Sequence, residues 1–167
     1  MKNLLLTCII LSFYSLNAQT HTMLIVKGIT TDGRSMNTSV LKDVTVNIYK
    51  YNDKITTFQS DEKGKFQFEI EMNSYIILEF VKEGFLSKKI LFDTENQLID
   101  YSKNYIPFNF EITMLKEVKD VNYDDIDFPI TMIEYSEKEK EFLYVEKYTN
   151  DMVKRQEKVM IKLAQKY

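Results

Sequence analysis

Between residues 23 and 115 the apolar side chains recur at every second position in short runs, and turn-forming residues separate the runs. Residues 23–31, rich in β-branched side chains and ending at Asp32-Gly33, predict a first strand and a turn. Val44, Val46 and Ile48 then alternate with Thr45, Asn47 and Tyr49. Successive strand side chains point to opposite sides, so this spacing puts three aliphatics on one face. Tyr51-Asn52-Asp53 predicts a turn, residues 54–60 a third strand, and residues 61–65 a hairpin loop in which Gly64 takes a positive φ. The cleanest alternation sets Phe66, Phe68, Ile70 and Met72 against Gln67, Glu69 and Glu71. Residues 75–81 are more uniformly apolar, the pattern of a strand covered on both faces. Lys82-Glu83-Gly84-Phe85 turns the chain into a strand over 86–92, and a polar stretch follows over 93–104. Phe108, Phe110, Ile112 and Met114 then alternate against Asn109, Glu111 and Thr113. Seven short strands with turn signals between them predict a β-sandwich.

From residue 116 the pattern changes. Residues 120–127 read as an acidic loop, Pro129 opens a short strand-like run to Tyr135, and residues 136–141 form a charged turn. Over 145–166 the apolar spacing lengthens to three and four residues: Val145, Tyr148, Met152, Val159, Met160 and Leu163 fall near one stripe of a helix. Gln156 interrupts the stripe, and Lys154, Arg155, Lys158 and Lys162 lie mostly off it. The basic bias at this end suits the helix dipole. The chain therefore reads as mainly β: a sandwich over 19–115, a strand-containing extension over 116–144, and a C-terminal amphipathic α-helix over 145–167.

The first eighteen residues differ again. Lys2 precedes an apolar run over 4–14, and Ser15-Leu16-Asn17-Ala18 supplies a polar stretch ending in a small residue, the order of a cleavable secretory signal peptide. The run is far shorter than the ~20 residues of a membrane-spanning helix. Cleavage before Cys8 as a lipoprotein would leave only residues 4–7 as apolar core, with Thr7 at the small-residue position. Loss of residues 1–18 removes Lys2 and no acid, so the twenty-two basic residues fall by one against twenty-five acidic ones, for a net charge of −4. That balance predicts no grip on nucleic acid or anionic lipid. Cys8 leaves with the signal, so no disulfide or thiol chemistry is expected. Stability would rest on a core rich in Phe and Tyr.

Three segments carry a family resemblance: Val26-Lys27-Gly28-Ile29-Thr30, Leu41-Lys42-Asp43-Val44-Thr45-Val46, and Ser60-Asp61-Glu62-Lys63-Gly64-Lys65-Phe66. They resemble the carboxypeptidase regulatory-like domain, abundant in exported proteins of Bacteroidetes. Phe80-Val81-Lys82-Glu83-Gly84-Phe85-Leu86-Ser87-Lys88-Lys89 is similar to the family's later strand and glycine-aromatic turn. The resemblance covers residues 24–115 and implies a seven-stranded transthyretin-like, or prealbumin-like, β-sandwich. It also implies a non-catalytic accessory or interaction role, since its motifs are turn glycines and core positions. Residues 93–105 depart from the family pattern.

The residue types narrow the chemistry further. His21 is the only histidine and lies near the expected mature N-terminus. A serine–histidine–acid triad or a histidine zinc site needs histidine fixed in a scaffold, so neither is expected. Gly28, Gly33, Gly64 and Gly84 form no phosphate-cradling loop. Asp120, Asp124, Asp125 and Asp127 match no calcium-loop spacing and read as a solvated loop. There is no tryptophan to stack on sugar. No catalytic, cofactor-binding or metal-ligating residue is expected, and no cofactor. The candidate contact residues are Tyr49, Tyr51 and Phe85 on the sandwich, and Tyr148, Met152 and Val159 on the helix, because aromatics anchor interfaces and an amphipathic stripe can dock. The expected function is that of an exported envelope protein, periplasmic or peripherally associated with the outer membrane, which binds a protein partner. The alternative is a small-ligand or glycan-binding accessory domain. Residues 86–92 are the strand expected to lie at a sandwich edge and accept a partner strand.

Overall fold

The computed structural model describes residues 23–33, 39–96, 99–100, 105, 107–119 and 121–164. Expectations for residues 1–18, His21 and Asp120 fall outside these residues, as does the side chain of Leu163. The strands are β1 (Met23–Asp32), β2 (Ser39–Val40), β3 (Thr45–Lys50), β4 (Asp53–Gln59), β5 (Lys65–Glu71), β6 (Tyr75–Val81), β7 (Lys88–Asp93), β8 (Phe108–Met114), β9 (Pro129–Ser136) and β10 (Glu141–Tyr144). A 3₁₀ turn at Asp124–Ile126 precedes β9, and α1 (Glu146–Ala164) ends the described chain.

Two sheets face each other. In the smaller, β1 is the hub: β5 pairs antiparallel along Met23–Ile29, β2 antiparallel at Thr31 and Asp32, and β8 parallel from Val26 to Asp32. The larger has the order β10-β9-β7-β6-β3-β4, with β7 and β9 parallel. Inward residues of both sheets form one core, in which Leu24, Val26, Val46, Ile76, Leu78, Phe80 and Phe92 are fully enclosed. The Phe66, Phe80 and Phe110 rings meet pairwise at 5.3–6.0 Å across the gap, in the tilted and edge-on arrangements that aromatic quadrupoles favour. Gly28 admits this packing because a Cβ there would stand 2.0 Å from the Phe110 carbonyl oxygen and 2.7 Å from the Phe66 ring.

The β-sandwich with a C-terminal helix matches the sequence reading, and the alternations of residues 66–72 and 108–114 face inward as expected. Four details of the sheets differ. Residues 61–65 do not close a hairpin, because β4 belongs to the larger sheet and β5 to the smaller. The chain crosses between sheets through a turn held by Asp61, whose Oδ1 accepts from the Lys63 and Lys65 amides at 2.9 and 2.7 Å. Gly64 has φ +68, and its carbonyl accepts from the Thr30 amide at 2.8 Å, which ties the crossover to β1.

β6 is covered on one face only: Ile76, Leu78 and Phe80 are buried, while Ile77, Glu79 and Val81 are half-exposed. β7 is an interior strand between β6 and β9, so residues 86–92 form no sheet edge. Last, segment 116–144 supplies β9 and β10 to the larger sheet, where Ile133 and Phe142 join the common core.

Helix α1 packs on β9 and the 3₁₀ turn. Thr131 and Thr149 meet at 2.6 Å, and the Tyr148 hydroxyl donates to the Pro129 carbonyl at 2.8 Å. Met152 and Val159 are buried, and Gln156 between them is half-buried, so the stripe runs through the glutamine. Met160, expected on that stripe, is 42 % exposed and lies on another side with Val153 and Ile161. The reason is angular: Met160 follows Val159 by one residue, about 100° around the helix. Among the described residues no helix is long and apolar enough to cross a membrane.

Candidate interaction face

The outer face of the larger sheet brings together residues far apart in sequence. Tyr49 pairs with Ile77, Ile77 with Leu91, and Leu91 with Met132. Paired residues of neighbouring strands project to the same side. The four side chains therefore form a row across β3, β6, β7 and β9, opposite in direction to the core residues Ile48, Leu78, Ile90 and Phe92. All four are half-exposed.

Polar rows flank it. On one side Asn47, Glu79 and Lys89 lie in register. The Glu79 carboxylate accepts from the Tyr49 hydroxyl at 2.9 Å and from Asn47 Nδ2 at 3.1 Å, and Asn47 Oδ1 accepts from the Thr57 hydroxyl at 3.1 Å. This chain fixes the Tyr49 ring and leaves Asn47 only 9 % exposed. The hydrogen bond to Glu79, joined by partial desolvation and the carboxylate's charge, raises the Tyr49 phenol above its ordinary value. Lys89 Nζ pairs with Asp127 at 2.7 Å.

On the other side Tyr75, Asp93 and Glu134 lie in register. Tyr51 stands beside Tyr75, ring centroids 6.1 Å apart, and its hydroxyl donates to Glu95. That hydrogen bond pushes the Tyr51 phenol up to about 12. The Asp93 charge raises Tyr75 in the same direction. These tyrosines stay neutral donors across the physiological range, and their rings stand on a sheet edged by carboxylates. Tyr51 takes this position through its turn conformation, with φ +53 followed by φ +103 at Asn52. A shallow hollow of about 290 Å³, lined by Tyr49, Asn52, Ile77, Glu79 and Lys89, opens on the same face.

The six residues singled out in the sequence thus separate. Tyr49 and Tyr51 fall on this face. Phe85 lies elsewhere, half-buried against the core and bridged to Lys116. Tyr148 is spent on docking the helix, and Met152 and Val159 are enclosed by the chain itself, 4 % and 2 % exposed. Ile77, Leu91 and Met132 carry no sequence signal of their own. Only the strand order brings them beside Tyr49. In the acidic loop, Asp124 is engaged locally by Asn122, whose Nδ2 donates to its carboxylate at 3.0 Å, and Asp127 by Lys89. Among the described residues no three His, Cys, Asp or Glu side chains converge as metal ligands would.

No protein-family model matches the chain, and no curated protein does. Solved structures with a similar form include 3-chlorocatechol 1,2-dioxygenase of Rhodococcus opacus 1CP, with 15 % identity over 60 % of this chain and 62 % of that one, at a TM-score of 0.43. The Bacillus anthracis TIE protein gives 15 % identity over 57 % and 18 % of the two chains, at 0.44. The major pilin SpaD of Corynebacterium diphtheriae gives 13 % over 59 % and 32 %, at 0.40. The chain spans less than two-thirds of the length of each. Scores this low leave the fold resting on the strand pairings themselves.

Proposed function

We propose that this chain is a non-catalytic exported cell-envelope protein that serves as a protein-interaction or accessory module, built on a carboxypeptidase regulatory-like sandwich. The observation that carries this reading is the half-exposed row Tyr49–Ile77–Leu91–Met132, set between polar rows on the outer face of the larger sheet. An apolar centre with a polar, tyrosine-rich rim is the anatomy of a recognition surface. Preorganised tyrosines lose little side-chain entropy on contact. The test is crosslinked capture from intact envelopes with Leu91→Glu beside the wild type. Leu91 points away from the core, so the variant is expected to keep its melting temperature and lose a stoichiometric partner. Recovery of the wild type alone, or equal capture by both forms, overturns the reading.

A second reading, a small-ligand or glycan-binding domain, draws on the hollow beside Tyr49, where Asn52, Glu79 and Lys89 offer hydrogen bonds around an aromatic ring. Retention on a polysaccharide column that Tyr49→Ala abolishes, with no protein partner recovered, favours it.

A further inference from the structure

Beside the Tyr49–Ile77–Leu91–Met132 row, the outer face of the larger sheet carries a second row of a different kind. Tyr75, Asp93, Glu134 and Leu143 lie in register across β6, β7, β9 and β10. Tyr51 extends this row at the β3 end, where its amide donates to the Tyr75 carbonyl at 3.2 Å. The centre of the row is unfavourable as it stands. Asp93 and Glu134 are direct partners on parallel strands, and like charges set opposite each other destabilise a sheet. Among the described residues neither makes an ion pair, and neither does Glu95, whose amide donates to Asp93 at 3.0 Å. Lysines of the same sheet are placed elsewhere: Lys50 holds Glu71 at 2.5 Å, Lys89 holds Asp127 at 2.7 Å, and Lys54 stands opposite Tyr49 in the neighbouring row.

The rings are a separate feature. Tyr51 and Tyr75 are both exposed, and each phenol is acted on by carboxylates: Tyr51 through its hydrogen bond to Glu95, Tyr75 first through the Asp93 charge and then, after partial desolvation, through Glu95 and Glu134. Open aromatic faces attract a cation through the ring quadrupole, and uncompensated carboxylates supply its countercharge. We infer, on the reading of this face as a protein-recognition surface, that the partner presents an arginine to it. The guanidinium lies on Asp93 and Glu134 against the Tyr75 ring, and an aliphatic side chain of the partner lies ~7 Å away on Leu91.

The spacings select this occupant. Asp93 and Glu134 stand one strand apart, ~4.8 Å, and a planar fork of five donors bridges two such acceptors while its flat face stacks on an aromatic ring. An ammonium is a point charge and does neither. Asp93 and Leu91 are two residues apart on β7 and point to the same side, which sets the distance between the charged and the aliphatic contact. An arginine relieves the repulsion between Asp93 and Glu134, whereas an acidic partner adds to it.

Titration of the full chain with acetyl-Arg-Ser-Leu-amide and with its uncharged citrulline analogue tests this, read from the Tyr51 and Tyr75 ring signals by NMR. The arginine peptide is expected to bind ~10-fold more tightly, and added salt is expected to narrow the difference. Asp93→Asn with Glu134→Gln keeps the shape and removes the repulsion. The double variant is expected to keep or raise the melting temperature and to bind the two peptides equally. Tyr75→Ala is expected to weaken the arginine peptide and Tyr75→Phe to bind it as the wild type does, since the ring is the contact. No binding of the arginine peptide, equal binding of both peptides by the wild type, a preference that survives in the double variant, or an unchanged Tyr75→Ala overturns the proposal. Capture from envelopes separates it from the function proposed above. A partner that Leu91→Glu loses and the double variant retains leaves the recognition surface standing and overturns the arginine. A peptide preference with no captured partner overturns the proposed function while the guanidinium site stands.

Discussion

Thr131 of β9 and Thr149 of α1 meet hydroxyl to hydroxyl at 2.6 Å, and each also has a carbonyl within reach, Thr149 that of Val145 at 3.0 Å and Thr131 that of Met132 at 3.4 Å. The pair ties the helix to the sheet by a short, part-buried hydrogen bond. Thr149→Val keeps the shape and removes the hydroxyl that Thr131 meets. A loss of about 0.5–1.5 kcal/mol in urea unfolding is expected, the net worth of one intramolecular hydrogen bond. An unchanged midpoint would mean that the hydroxyl pair contributes nothing to docking.

Gly28 and Gly84 separate two reasons for glycine. At Gly28 a methyl group would overlap the Phe110 carbonyl, so Gly28→Ala must force β1 and β8 apart. A loss above about 4 kcal/mol or failure to accumulate as soluble protein is expected. At Gly84 nothing lies within 4 Å, but φ is +77, so Gly84→Ala is expected to cost about 1–2 kcal/mol from backbone conformation alone. Thermal unfolding of the two variants side by side gives the comparison.

Lys88 begins β7 on the inward side and is 9 % exposed. Burial lowers its ammonium from 10.5 to about 8. Between those values the unfolded chain binds the proton that the folded chain has released, so stability rises with pH through this window and the full penalty applies below it. The penalty is on the order of 3 kcal/mol by the shift. Lys88→Met is expected to raise stability at pH 7 and to flatten the rise between pH 8 and 10.5, measured by chemical unfolding across that range. A wild-type slope that survives in the variant would assign it to other groups.

Tyr49 reports on the candidate face directly. Ionising its phenol would set a second negative charge beside Glu79, which also holds the phenolic proton. Glu79→Gln removes the charge and weakens the acceptor, and Tyr49 is expected to titrate lower, nearer the ordinary phenol value. Tyrosinate absorbance, with Tyr49→Phe to identify the transition, reads the shift.

The alternation at Phe66–Met72 and Phe108–Met114 made the sandwich legible because a half-buried strand writes its two faces into every second residue. The crossover at residues 61–65 was not legible: the Asp61 turn satisfies the same local amides whether the next strand returns to the same sheet or leaves it. The interior place of β7 was hidden for a related reason, since its parallel partner β9 lies beyond the segment where the strand pattern is strongest. Tyr49 and Tyr51 could be singled out as aromatics beside a turn. Leu91 and Met132 could not, because an apolar residue on the outer side of a strand looks like a core residue until the sheet order is known.

The parallel pairing of β1 with β8 sets an order of events. Val26 finds its partner at Phe108, so the first described strand cannot complete its sheet until about half of the sequence has followed it. Closing so long a loop is entropically slow, and chains dominated by such distant contacts fold in milliseconds to seconds rather than microseconds. While the chain emerges N-terminus first, β1 waits with β5 on one side and an open edge on the other. In this protein, time spent half-built is a property of the topology, and the last strand of the smaller sheet is the one that ends it.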